Sequence, residues 1–212
     1  MSRKVLVVAE HRAGALAEST LEAAGAGLGL GGEVTAALLA ADPAGLEGPL
    51  LGRVPRLEKI IHPGLAEYNP EAFLEPLSRL IQDLSPGLVL MAHTSQGMDL
   101  APALAGRLGL PLATGCTRVE EKEGAFLVGR PVYGGKLTEE LKLGPHPTVV
   151  LTLQTGAFAP PPEGPVETRV RETVPEALSP RHLRRFVERL AAARDEVDIT
   201  AADILVSVGR GI

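Results

Sequence analysis

The chain has 212 residues, 45% of them apolar and 22% charged, with a formal net charge of −5. That balance supports one or two packed domains, and it excludes wholesale disorder and a global basic field for nucleic acid or anionic lipid. The single cysteine rules out an intrachain disulfide and any multi-cysteine metal cluster built from this chain alone.

No apolar run reaches the roughly 18 residues of a membrane span, and Glu10-His11-Arg12 interrupts the first apolar run too early for a secretory segment. The expectation is a soluble, cytoplasmic protein. Residues 4–9 (KVLVVA) have the texture of a strand buried on both faces of a parallel sheet. Residues 10–14 turn. From 15 to 30, Leu16, Leu21, Ala24 and Leu28 recur at helical intervals, and Gly31-Gly32 supply a stop. Residues 33–39 (EVTAALL) read as a second strand, which completes a βαβ unit. Asp42-Pro43 opens a short helix to about Gly52, and residues 59–61 form a third strand. Asn69-Pro70 pairs a capping residue with proline at the first helical position, so a helix runs from there to about Leu84. Residues 86–92 are a fourth strand, 93–97 a loop and 99–108 another helix. This alternation predicts an α/β fold with a doubly wound, mainly parallel sheet flanked by helices.

After Pro111 the texture changes. Residues 117–121 and 125–132 flank a Glu123-Gly124 turn signal, and 137–143 and 148–153 continue as strands. Antiparallel strands are therefore expected after about residue 115, extending the same sheet. Residues 158–165 (FAPPPEGP) cannot be helical and read as an extended connector. A strand follows over 166–174, and Ser179-Pro180 caps a basic helix to about Arg194. Residues 203–208 (DILVSV) read as a fresh buried strand, with Gly209-Arg210-Gly211 as a turn of the kind that leads into a helix. The expected division is an N-terminal α/β domain over 1–195, connector included, and the first strand and turn of a truncated C-terminal domain over 196–212.

Residues that carry chemistry are sparse. Gly209-Arg210-Gly211 suits a phosphate-binding turn, or equally a frayed tail. Thr94-Ser95-Gln96-Gly97 follows a strand where doubly wound folds place ligands; its hydroxyl, amide and glycine suit phosphate or ribose, and they also serve as ordinary helix caps. Asp99 fits a first-turn carboxylate favoured by the helix dipole. Tyr133-Gly134-Gly135-Lys136 lacks the Walker spacing and reads as a turn with a solvated lysine. Glu10-His11 follows the first strand, a place for a general base, but no nucleophile accompanies it. His62, His93, His146 and His182 show no metal-ligand spacing, and Cys116 reads as a buried small hydrophobe. Arg181, Arg184, Arg185, Arg189 and Arg194 are partly offset by Glu188, Asp195 and Glu196, which suits a solvated or subunit-facing surface. These residues give no catalytic constellation. They leave open a stand-alone adenine-nucleotide-binding module using residues 94–97, and a pure assembly scaffold.

A resemblance narrows this. Residues 5–11 (VLVVAEH) resemble the first strand and Ala-Glu-His turn of the electron transfer flavoprotein alpha subunit. Residues 30–34 (LGGEV), 97–105 (GMDLAPALA) and 130–135 (RPVYGG) resemble further motifs of that family, and the stretch from Asp198 to Gly211 resembles the one ending Ser-Gly-Gly-Arg-Gly. The match runs in order along the whole chain. The sequence departs from the family at Val208, where glycine is usual, at Ser95-Gln96 and Met98, and at Ala103, where arginine is usual. The resemblance implies an electron carrier rather than an enzyme, pairing as a heterodimer with a beta subunit that holds a structural AMP. It implies flavin dehydrogenases as donors and a quinone-reducing or other acceptor, with no nucleic acid and no embedding in a membrane. FAD would bind chiefly to the C-terminal domain, where Ser207, Gly209, Arg210 and Gly211 match its contacts and the arginine lies near the flavin. This chain alone is then expected to serve as a scaffold for the beta subunit and FAD domain, without retaining FAD or transferring electrons.

Overall fold

The first apolar run becomes β1 (Lys4–Val8), the central strand of a seven-stranded sheet. Its side chains alternate between two cores. Val5 and Val7 enter one, Leu6 and Val8 the other, and all four are buried. The computed structural model describes residues 3–164, 166–178, 184–188 and 204–209.

In chain order, β1 leads through a small hairpin, β2 (His11–Arg12) and β3 (Ala15–Leu16), into α1 (Glu18–Gly29) and β4 (Glu33–Ala40). Next come β5 (Arg56–Ile61), α2 (Pro70–Leu84), β6 (Leu88–Ala92) and α3 (Ser95–Leu108). Then β7 (Leu112–Cys116), β8 (Arg118–Lys122), β9 (Ala125–Val132), β10 (Leu137–Leu143), β11 (Val149–Leu153) and β12 (Arg169–Thr173) follow. The main sheet has the order β12-β5-β4-β1-β6-β11-β7, and every pairing in it is parallel. The mainly parallel, doubly wound α/β class is what the sequence predicts.

Each face has its own cover. Phe73, Leu77, Leu80 and Ile81 of α2 join Leu100, Leu104 and Ala105 of α3 on the Leu6 face. Ala23, Ala24 and Ala26 of α1 lie on the Val5 face. Burying each such Leu or Phe contributes roughly 1.5–3 kcal/mol. The Asn69 cap forms as expected: its Oδ1 accepts from the Glu71 and Ala72 N–H groups at 3.0 and 3.2 Å.

The second half departs from expectation in detail. β8, β9 and β10 are antiparallel, but they form a separate sheet instead of extending the main one. The reason is burial: Phe126 and Val128 of β9 pack into the Val5-side core, so this sheet lies on a face where a helix would otherwise sit. The 148–153 strand is parallel and inserts between β6 and β7. The strand β7 lies beyond those the sequence predicts. The expected helix over 42–52 is a set of turns with one 3-10 turn at Gly48–Leu50, since Gly45 and Gly52 hold positive φ of 82° and 74°.

The described part of the proline-rich connector, residues 158–164, has neither helix nor strand and is held to the body at several points. Phe158 lies on the Val5-side core. The Gly156 N–H donates to Glu22 Oε2 at 2.8 Å, Arg53 Nη1 donates to the Pro161 carbonyl at 3.1 Å, and the Gly164 N–H donates to the Gly52 carbonyl at 3.2 Å. Ala159 presses so close to α1 that a Cβ on Gly25 would overlap its carbonyl oxygen. The connector thus carries the chain to β12 at the far edge. There the Lys59 ammonium joins Glu47 and Glu172 at 2.6 and 2.5 Å, and these hydrogen bonds, Glu172 first, raise its pKa.

Two late expectations change. The basic helix over 179–194 is absent at 184–188, which have neither helix nor strand, and its remaining residues lie outside the described ones. The buried strand at 203–208 is not formed at 204–208, where Ile204, Leu205, Val206 and Val208 are exposed. None of the described strands pairs with this stretch, so its apolar side chains have no sheet to enter.

Candidate functional site

The chain winds from β1 toward β4 and β5 on one side and meets β6 on the other. The strand order therefore reverses between β1 and β6, and the crevice at their carboxyl ends is where open α/β sheets take ligands. Glu10 follows β1, and Thr94 follows β6 as the N-cap of α3.

These two residues meet. Thr94 Oγ1 donates to Glu10 Oε2 at 2.6 Å and accepts from the Gly97 N–H at 3.2 Å. The backbone of Glu10 is pinned in turn by buried Thr20, whose Oγ1 accepts from the Glu10 N–H at 2.9 Å. A carboxylate thus sits at the start of α3, where the helix dipole favours negative charge. Gly97 is forced by close packing, because a Cβ there would overlap the Ala92 carbonyl oxygen. Residues 95–97 are accordingly the first helical turn, not the loop the sequence suggests.

Beside this pair is a cleft of about 470 Å³. Glu10, Glu67 and Glu188 outnumber Arg12 among its charged walls, with His11, Tyr68 and Phe186 also lining it. His11 Nε2 lies 2.8 Å from the Leu39 carbonyl, which fixes that nitrogen as the donor and orients the ring. Tyr68 donates to Asp99 Oδ2 at 3.0 Å and meets Phe73 edge-on at 5.3 Å. Burial, and then that hydrogen bond, hold its phenol far above the usual pKa. Asp99 lies in the second turn of α3, not the first, and accepts from both Tyr68 and Arg184.

The other candidates are structural. His93 Nδ1 pairs with Thr152 Oγ1 at 2.9 Å, and that hydroxyl also accepts from the Gly115 N–H at 3.0 Å. His62 Nδ1 accepts from the Gly64 N–H at 3.0 Å, and His146 Nδ1 lies 2.7 Å from the Thr148 carbonyl. His182 lies outside the described residues. Among the described residues no group of three or more His, Cys, Asp or Glu could hold a metal ion. Cys116 is buried, and burial raises its thiol to about 11, slightly opposed by Arg130. Tyr133-Gly134-Gly135-Lys136 is the exposed turn between β9 and β10, as expected. Ser207 and Gly209 lie on the exposed stretch 204–209, while Arg210 and Gly211 lie outside the described residues.

Sequence reasoning missed the Glu10–Thr94 pair and the grip on Arg184. A signal for the first was present: both residues follow strands with the texture of central, doubly buried ones.

The family model described as "Electron transfer flavoprotein domain" matches residues 5–179. The chain is 31% identical to the electron transfer flavoprotein subunit alpha of Methylophilus methylotrophus, over 99% of this chain and 66% of that protein. It is 30% identical to the protein FixB of Clostridium saccharobutylicum, over 98% of this chain and 64% of that one. It is 27% identical to the alpha subunit of Bacillus subtilis, over 100% of this chain and 66% of that one. The chain therefore spans just under two thirds of the length of these relatives. Among the described residues no helix is long and apolar enough to cross a membrane.

Proposed function

The chain belongs to the electron transfer flavoprotein domain family, and from that premise we propose that it supplies the N-terminal α/β portion of an alpha subunit. In that role it carries no catalysis of its own. It builds the body of a cytoplasmic heterodimer with a beta subunit, which holds a structural AMP. The assembly passes electrons from flavin dehydrogenases to a quinone-linked or other acceptor. The observation that carries the reading is the family match over 5–179, a span filled by the seven-stranded sheet and its cover. Residues 196–212 are then the opening of an FAD-binding domain.

FAD is the group the family name implies, and two places can be tested for it. The switch-point cleft fits it poorly: the Glu10 carboxylate is bonded to the α3 cap Thr94, and Glu10, Glu67 and Glu188 on its walls oppose a pyrophosphate. The 204–209 stretch fits better. Ser207 is exposed, and no heavy atom lies within 4 Å of a Cβ built on Gly209, so a ligand can approach the backbone. Ser207, Gly209, Arg210 and Gly211 are the residues that would hold FAD. Bound FAD supplies an electron-accepting ring system. Ser207 and the glycine N–H groups would donate hydrogen bonds, and the fixed charge of Arg210 would favour an anionic ring over a neutral one.

Mixing the purified chain with an electron transfer flavoprotein beta subunit tests this reading. A one-to-one complex in gel filtration is expected, and the chain alone should show no flavin absorbance. Failure to pair would remove the assembly role, and stoichiometric flavin on the chain alone would overturn its expected inactivity.

The rival reading is an adenine-nucleotide module, and the position of the cleft at the switch point is what favours it. The acidic walls and the Glu10–Thr94 pair weigh against it. Titration calorimetry with AMP and ATP decides: saturable binding that is lost in Thr94→Val would put the nucleotide module first.

A further inference from the structure

Residues 184–188 have no helix or strand of their own, yet they are held at a definite place. The Arg184 carbonyl accepts from Asn69 Nδ2 at 2.8 Å. Its guanidinium Nη1 donates to Asp99 Oδ2 at 2.9 Å, and its Nε lies 3.5 Å from Glu71 Oε1. Asn69 and Glu71 belong to the start of α2 and Asp99 to α3, so one arginine joins two helices that flank the carboxyl edge of the sheet. Glu71 Oε2 is buried without a hydrogen-bond partner among the described residues. The Arg184 guanidinium is the cation that pairs with this carboxylate among the described residues. Two and four residues beyond Arg184, Phe186 and Glu188 form part of the cleft wall.

We propose that Arg184 is the latch of a strap: gripped by Asp99, Glu71 and Asn69, it holds residues 184–188 down across the mouth of the switch-point cleft. Opening the cleft then requires breaking this ion cluster, which makes access to it sensitive to salt. The latch is a property of this chain's own residues and goes beyond the redox reading; it stands or falls separately from beta-subunit pairing.

Limited chymotrypsin digestion of the full chain tests it, because cleavage after the half-exposed Phe186 needs the strap to lift. The Asp99→Asn, Glu71→Gln double variant removes both carboxylate charges and leaves the cleaved sequence intact, and the amide oxygen it introduces on α3 still offers Tyr68 an acceptor. The rate of cleavage after Phe186 should rise about tenfold in this variant and in wild type at roughly 1 M salt. Cleavage at buried Phe73 should stay unchanged and so report an intact fold. Arg184→Lys, with a point charge that serves one carboxylate at a time, should fall between. Equal rates after Phe186 in wild type, double variant and high salt would overturn the latch. So would a rise after Phe186 matched by an equal rise after Phe73.

Discussion

Residues 5–8 read Val-Leu-Val-Val and residues 204–208 read Ile-Leu-Val-Ser-Val, nearly the same apolar texture. The first is 0–5% exposed at the heart of the sheet, and the apolar members of the second are 62–84% exposed. The difference lies in the neighbours. β1 has β4 on one side and β6 on the other, with helices or a second sheet above and below. The later stretch has no strand pairing among the described residues. Apolar β-branched sequence therefore specifies a strand only where a sheet is there to accept it.

Substitutions can break that contrast. The largest effect is expected from Leu38→Ala, in a fully buried residue of β4, which should cost about 3–4 kcal/mol. Val206→Ala should stay within about 0.5 kcal/mol. Urea denaturation of the two variants reads both, and a comparable loss at Val206 would mean that the late stretch is packed after all. Next in size is the glycine pair. Gly97→Ala drives a Cβ into the Ala92 carbonyl and should cost about 2–3 kcal/mol, whereas Gly209→Ala meets open space and should be near neutral. Thermal melts of the two proteins separate these outcomes.

The smallest expected effect concerns Cys116, whose thiol is raised from 9.0 to about 11 chiefly by burial. Below pH 9 the folded and unfolded chains both keep the proton, and the contribution of the buried thiol is whole. Between pH 9 and 11 the unfolded chain ionises first, so stability falls as pH rises, by up to about 2 kcal/mol. Wild type should lose stability over that window more steeply than Cys116→Ala, as urea midpoints measured from pH 8 to 11 will show. Parallel slopes would mean that the thiol is as accessible folded as unfolded.

Over the first 110 residues most of the architecture was legible, because strand and helix periods alternate cleanly and Asn69-Pro70 marks a helix start that the structure confirms. What was not legible is what depends on distant partners. Glu10 meets Thr94 across 84 positions, and Arg184 meets Asp99 across 85. Neither pair leaves a local pattern. The same holds for the β8–β10 sheet: its strands are readable from alternation, but only the burial of Phe126 and Val128 decides that it stacks on a face.

The insertion of β11 between β6 and β7 has a consequence for the order in which the protein can be made. A ribosome releases β6 and β7 well before β11, yet β7 reaches the main sheet only through β11. Until residue 149 emerges, the β6 edge carries unpaired backbone groups on the growing chain, and β7 has no place in the sheet. The apolar half-sheet is thus exposed during synthesis, a window in which nascent chains aggregate or recruit chaperones. Pausing translation just before that point should lengthen the exposure, and releasing it a few residues later should let the centre of the sheet close in one step.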